Sequence, residues 1–81
     1  MFWGAGSLTQ RLLNSTNLQN KTIKIIDSDS KLWGKFLSGI EIISPGKVGN
    51  YKEPIFVSSF RFKDEISSYI KKHFKNAIIP L

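Results

Sequence analysis

Gly4, Gly6, Asp27, Ser58, Ser59 and Arg61 are the residues whose types and spacing can do chemistry in this chain, and that chemistry is the holding of a phosphate and a ribose. The apolar start Met1-Phe2-Trp3 runs into Gly4-Ala5-Gly6-Ser7 and then into a leucine-bearing segment. A strand that turns through paired glycines into a helix aims the amides of Gly6, Ser7 and Leu8 at an anion from the positive pole of that helix. Glycine suits both turn positions: it reaches backbone conformations closed to other residues, and at Gly6 it leaves no Cβ between the chain and a pyrophosphate. Asp27 ends a β-branched run 21 positions after Gly6, where an acid accepts hydrogen bonds from the two ribose hydroxyls. Ser58, Ser59 and Arg61 form the facing lip, and Arg61 can clamp a phosphate through its planar fork. The pattern indicates nucleotide handling and names no reaction.

Each assignment has a plainer alternative. The glycine pair can be a turn and nothing more, Asp27 a turn-forming or capping residue within Asp27-Ser28-Asp29-Ser30, and Arg61 an exposed residue at a helix start. Thr9 stands where the dinucleotide fingerprint has its third glycine, so its extra atoms predict a wider helix-to-strand separation or weaker dinucleotide binding. Trp3 and Trp33 can stack on a base or sugar, or pack in the core or at its rim. His73 falls at the margin of an apolar helical stripe and reads as a packed or half-exposed histidine, not a general base. No nucleophile-base pair or paired carboxylate has a recognisable spacing, so no catalytic residue is assigned.

The elements that must position these residues alternate between strand and helix. Phe2-Trp3 is a strand end, Ser7 to about Ser15 a helix with Leu8, Leu12 and Leu13 toward a sheet, and Thr22 to Ile26 a strand. Lys31 to Gly39 reads as a loop or single turn punctuated by Gly34 and Gly39. Ile40 to Ile43 is a short strand stopped by Ser44-Pro45-Gly46, and Gly46 to Pro54 is irregular. Ile55-Phe56-Val57 suits a buried parallel strand. Ile66, Tyr69, Ile70 and Phe74 make one apolar helical stripe, with Asp64 and Glu65 in the first turn, and Ala77-Ile78-Ile79 is a last strand ended by Pro80. Right-handed crossovers in this order predict an α/β fold: a small open parallel sheet of Rossmann type, strand order 3-2-1-4-5, with helices on both faces. Its ligand would sit outside the carboxyl ends of the strands, between Gly4-Ala5-Gly6-Ser7 and Ser58-Ser59-Phe60-Arg61.

Composition bounds the setting. The 81 residues make a single domain, one that buries roughly 60–65% of its unfolded-chain surface. Only three residues precede Gly4 in what would be a central strand, so the expectation is a fragment of a longer enzyme whose preceding residues complete that strand. With no cysteine there is no disulfide, thiolate zinc site or thiol nucleophile, and one histidine among scattered acids predicts no metal centre. No apolar run approaches the ~20 residues of a membrane span and no signal peptide opens the chain, which predicts a soluble cytoplasmic protein. The net charge of +6 is spread from Arg11 to Lys75, and its one concentration, Lys71, Lys72 and Lys75, closes a helix. That placement predicts a solvated surface complementing a helix dipole, not a nucleic-acid interface.

A family resemblance joins these residues. Phe2-Trp3-Gly4-Ala5-Gly6-Ser7, Ile25-Ile26-Asp27-Ser28-Asp29-Ser30-Lys31-Leu32-Trp33-Gly34-Lys35, Gly39-Ile40-Glu41-Ile42-Ile43-Ser44-Pro45, Phe62-Lys63-Asp64-Glu65-Ile66 and Ile78-Ile79-Pro80-Leu81 span nearly the whole sequence. Together they resemble the small Rossmann-like domain attached to bacterial methyltransferases and other sugar-modifying enzymes of surface-polysaccharide or deoxysugar pathways. The closing segments are similar to the C-terminal domain of sugar C-methyltransferases, and a related domain opens some sugar-nucleotide acetyltransferases. The resemblance implies a noncatalytic module that positions a nucleotide or nucleotide-sugar beside a separate catalytic domain. NAD and a nucleotide-sugar are the ligands it leaves open, with S-adenosylmethionine confined to the other domain. Partners are then that adjacent domain and the nucleotide ligand, with room for a homodimer. The chain departs from the pattern at Thr9 and at Gly46-Lys47-Val48-Gly49-Asn50-Tyr51, where relatives often carry an acidic helical turn. Two other classes stand beside this one: an interaction module whose nucleotide site is vestigial, and a self-contained oxidoreductase, disfavoured because no substrate domain or acid-base pair accompanies the turn.

Overall fold

Phe2 and Trp3 are adjacent in sequence and buried on opposite faces of one sheet, and that alternation divides the core in two. A computed structural model describes residues 1–59 and 61–80. In chain order it holds β1 (Phe2–Trp3), α1 (Ser7–Ser15), α2 (Leu18–Lys21), β2 (Ile25–Ile26), a 3-10 turn (Ser30–Leu32), β3 (Phe36–Leu37), β4 (Ile40–Ile43), a second 3-10 segment (Pro45–Asn50), β5 (Ile55–Val57), α3 (Lys63–His73) and β6 (Ile78–Pro80).

The six strands lie in the order β3-β4-β2-β1-β5-β6. Neighbours run parallel from β4 across to β6, with Phe2 in register with Ile25 on one side and Phe56 on the other. β3 runs antiparallel to β4, pairing Phe36 with Glu41 and Leu37 with Ile40. This corrects the expected five-stranded, all-parallel 3-2-1-4-5 sheet: the sheet is mixed, has six strands, and carries a hairpin where the sequence suggested a loop. The reason lies in Ser38 and Gly39. Both have positive φ, 51° and 80°, so they form the two-residue turn whose twist suits tightly joined antiparallel strands. Other boundaries shift as well. The second strand is confined to Ile25–Ile26, the stretch after Ser44 coils into a 3-10 segment, and Pro80 is paired with Val57 at the sheet edge, where a missing N–H costs no inner ladder bond.

Helices cover both faces. Leu13 of α1, with Leu12 beside it, packs on Phe2, Ile25, Ile40 and Ile42, and Leu32 and Leu37 close that layer. On the other face Ile70 of α3, flanked by Ile66 and Phe74, packs on Trp3, Ile26, Ile43 and Val57. Residues four apart on α3 share one face, which is why Ile66, Ile70 and Phe74 reach the same layer while Tyr69 stands at its rim.

Lys24 donates to Glu41 at 2.7 Å beside the β2–β4 pair. That bond and the lysine charge hold the Glu41 carboxyl below its ordinary value, and the same bond raises Lys24. A depressed carboxyl contributes stability that is present above its unfolded value and lost as pH falls through the folded one; a raised lysine loses its contribution as pH rises through its folded value. Both groups are solvated, so the effect is small. Glu41→Gln is expected to lower the midpoint of thermal unfolding at neutral pH by at most about 3 °C, and the gap to the parent closes as pH falls below the ordinary glutamate range through the depressed folded value. A gap unchanged in acid would show that the side chain acts through packing instead.

Candidate functional site

The site is built from the carboxyl ends of the strands. The crossover direction reverses between β1 and β5, because the chain goes from β1 to β2 on one side and returns to β5 on the other. At that point a cleft of about 810 Å³ opens. Gly4 follows β1, Asp27 follows β2, Pro45 follows β4 and Ser59 follows β5, and all four line it. Its remaining wall is mainly aromatic and acidic: Trp3 from the strand, Phe62, Glu65 and Tyr69 with Ile66 from the start and flank of α3, and Ser28 and Asp29 from the loop after β2.

The turn above β1 is held from below. Gly4 has φ of +123°, a conformation L side chains rarely adopt, and a Cβ there would lie 3.2 Å from the Ser58 hydroxyl oxygen. The Gly4 amide donates to the Ile26 carbonyl at 2.7 Å, and its own carbonyl accepts from the Thr9 hydroxyl. Thr9 and Ser58 also share a hydrogen bond, and Ser58 lies 3.2 Å from the Trp3 carbonyl. Both hydroxyl residues are buried, with Thr9 only 1% exposed. Thr9, whose size suggested a wider separation of helix and strand, spans that junction with hydrogen bonds. It ties the first turn of α1 to the glycine turn, and a buried hydroxyl so bonded incurs no desolvation penalty without return.

Asp27 carries the other side. One carboxylate oxygen accepts from the Ala5 amide at 2.9 Å and the other from the Asp29 amide at 2.8 Å. Its backbone carbonyl accepts from the Trp33 indole at 2.7 Å. Asp27 thus shapes the loop after β2 and pins the glycine turn, the plainer of its two sequence readings, while still bordering the cleft. Asp29 caps the following 3-10 turn by accepting from the Lys31 amide at 3.0 Å. The first turn of α1 is left open: no side chain caps Gly6, no acid stands in the turn, and nothing lies within 4 Å of where a Gly6 Cβ would be. Helix geometry leaves the amides of Ser7, Leu8 and Thr9 without an intrahelical acceptor, so this end is a partial positive charge facing open space.

The cleft brings together Gly4, Asp27 and Ser59 of the sequence-predicted site. The others stand elsewhere. Gly6 is extended, with φ of −94°, so its backbone does not require glycine, and a Cβ there would meet nothing. Ser7 is exposed and Leu8 half-buried at the start of α1. Ser58 is buried under the turn and unable to face a ligand, and Arg61 is exposed with its guanidinium 5.7 Å from the Phe62 ring centre. Phe60, placed by sequence on the same lip, lies outside the described residues, as does Leu81. Trp33 is a rim residue, and His73 lies outside the cleft lining with its ring tilted 39° against Tyr69, centroids 4.3 Å apart. What sequence missed is the contribution of α3. Trp3 meets Tyr69 edge-on at 5.9 Å, which builds an aromatic floor from two elements far apart in sequence.

Among the described residues, no group of three or more histidine, cysteine or acidic side chains is placed to hold a metal ion, and no helix is long and apolar enough to cross a membrane. The family model for C2185-like N-terminal domains matches residues 1–78, from β1 to the first residue of β6. The chain belongs to the C2185-like N-terminal family. No curated protein and no solved structure matches it. The family match takes in the glycine turn, Asp27, Ser59 and the whole of α3, so every side of the cleft lies inside it.

Proposed function

We propose that this domain is a noncatalytic nucleotide- or nucleotide-sugar-binding module of a sugar-modifying transferase, a methyltransferase of polysaccharide or deoxysugar biosynthesis being the parent that the sequence resemblance favours. The observation that carries the reading is the open cleft at the reversal of strand order, where Gly4, Asp27 and Ser59 converge beside the uncapped start of α1. A cleft of about 810 Å³ has the volume of small-ligand sites and its apolar floor suits a planar ring; the amides at the start of α1, just beyond Gly4 and outside the cleft lining, suit a diphosphate reaching past that residue.

Isothermal titration with uridine diphosphate, its glucose ester and NAD tests the proposal, with amide shifts expected from Gly4 to Leu8. Gly6→Ala is the matching variant. The new Cβ enters the space an anion would occupy, so affinity is expected to fall about tenfold while stability changes by only about 0.5 kcal/mol, the difference between glycine and alanine at a helix start. No heat and no shifts at millimolar ligand would overturn the nucleotide reading. The second reading, a packing module for a neighbouring domain or a second copy, has its own support: Asp27 already engages the Ala5 amide, and Phe62 and Tyr69 are 49% and 42% exposed beside the cleft. It is favoured if those titrations are silent and the two rings become protected in the full-length parent.

A further inference from the structure

A second hollow, of about 470 Å³, opens on the face of the sheet that carries α3, between the end of the second 3-10 segment and the end of α3. Gly49, Tyr51 and Lys52 form one wall, and His73, Phe74 and Lys75 the other. Its charge is opposite to that of the cleft. Two lysines and a histidine line it with no acid, whereas Asp27, Asp29 and Glu65 line the cleft with no Lys or Arg among the described residues. Neither Lys52 nor Lys75 has an ion-pair partner among the described residues. The neighbouring acid, Glu53, is engaged elsewhere: it accepts from the Lys52 amide at 3.1 Å and acts on the Met1 ammonium. The walls are also tied together. The Asn76 side-chain amide donates to the Tyr51 carbonyl at 3.1 Å and to the Glu53 carbonyl at 2.9 Å, which holds the loop before β5 against the chain entering β6.

The rings of the hollow suit an anion better than a stacked base. His73 lies against Tyr69 with centroids 4.3 Å apart, and Phe74 lies 6.3 Å from His73 and 6.0 Å from Tyr69. Rings packed on one another have few free faces and leave their edges to the hollow, and those edges carry partial positive charge. We propose that this hollow docks an acidic segment of a partner protein: an apolar or aromatic side chain seats between Tyr51 and Phe74, and flanking carboxylates meet Lys52 and Lys75. Both elements are needed, since an exposed ion pair alone contributes little. A polynucleotide fits less well, because it calls for a cationic track along its backbone and open ring faces for its bases. The contact is independent of whatever the cleft binds, as the two hollows share no lining residue.

Fluorescence anisotropy of a short labelled peptide of alternating glutamate and tyrosine, titrated with the 81-residue chain, tests this, beside a glutamine–tyrosine peptide and an oligothymidylate matched in charge to the first. At low ionic strength the acidic peptide is expected to bind at least about tenfold more tightly than either of the others. Lys52→Glu and Lys75→Glu should each weaken it about fivefold. Lys31→Glu and Lys35→Glu, which reverse the same charge just before β3 at the opposite edge of the sheet, should weaken it less than about twofold. Circular dichroism confirms that each variant is folded, and amide shifts in the parent should centre on Gly49, Tyr51 and Asn76 and spare Gly4 to Leu8. Equal weakening at all four lysines would reduce the binding to net charge and overturn the proposal. Tighter binding by the oligothymidylate would overturn it in favour of nucleic acid, and no binding of the acidic peptide at millimolar protein would overturn it outright.

Discussion

Gly4→Ala is expected to destabilise the domain by about 2–4 kcal/mol, a drop of roughly 10–20 °C in Tm for a chain of this size. Two costs combine. Gly4 sits at φ of +123°, where a Cβ clashes with its own backbone, and the new methyl would lie 3.2 Å from the Ser58 hydroxyl. Ser58 cannot give way freely, because it is bonded to Thr9 and lies against the Trp3 carbonyl. Any shift therefore spreads to the first turn of α1 and to the end of β1. Chemical denaturation of Gly4→Ala beside Gly6→Ala isolates the effect: the second glycine is extended, faces open space, and should lose only about 0.5 kcal/mol. Equal losses at the two positions would mean that the turn is not held from below as described. The comparison also separates positions that sequence merges, since one glycine is needed for conformation and the other stands in open space.

That pair illustrates where sequence was informative and where it was not. Ile55-Phe56-Val57 and the stripe Ile66, Ile70, Phe74 were legible because an apolar run or a helical period repeats the same burial signal several times. The hairpin of β3 and β4 was not. Each strand contact there involves two residues, too few to show a period, and Gly39 reads with Gly34 as loop punctuation although a small residue and a glycine between Leu37 and Ile40 is what a two-residue hairpin turn requires. In the site, Gly4, Asp27 and Ser59 were legible because each follows a strand whose carboxyl end faces one edge. Ser58, one residue earlier, points the other way, as alternation along an extended chain demands, and its burial with Thr9 gives no sequence signal beyond two small hydroxyl residues flanking a glycine turn. Glu65 and Tyr69 read as the solvent-facing and core-facing sides of an isolated helix. Only the placement of α3 over the end of β1 turns both toward one cleft.

Phe2→Ala carries the largest expected cost, about 3–5 kcal/mol. Phe2 is fully buried on the central strand, paired with Ile25 on one side and Phe56 on the other, and its ring stacks on Phe56 at 5.2 Å with 24° between planes. Leu13 of α1, Ile25 and Ile42 surround it, so truncation leaves a void that two-residue strands and a nine-residue helix can close only by moving. An 81-residue domain has a total stability of roughly 4–12 kcal/mol, so a loss of this size consumes a large part of it, and the midpoint of thermal unfolding should fall by more than about 12 °C. The location of the damage is as informative as its size. Phe2 faces α1, whereas Trp3 faces α3 and the cleft, so the wound opens in the layer that carries α1 and leaves the aromatic floor in place. Any loss of ligand affinity in the surviving folded fraction, once titrations are corrected for the unfolded population, should therefore come from displacement of the start of α1. Phe56→Ala and the double variant complete a cycle in which the stacked pair should show a coupling of about 0.5–1.5 kcal/mol. A loss below about 1 kcal/mol for Phe2→Ala would show that α1 does not seal this face. In that event the start of α1 would not be fixed above Gly4, and the anion site it is proposed to form would lose its anchor.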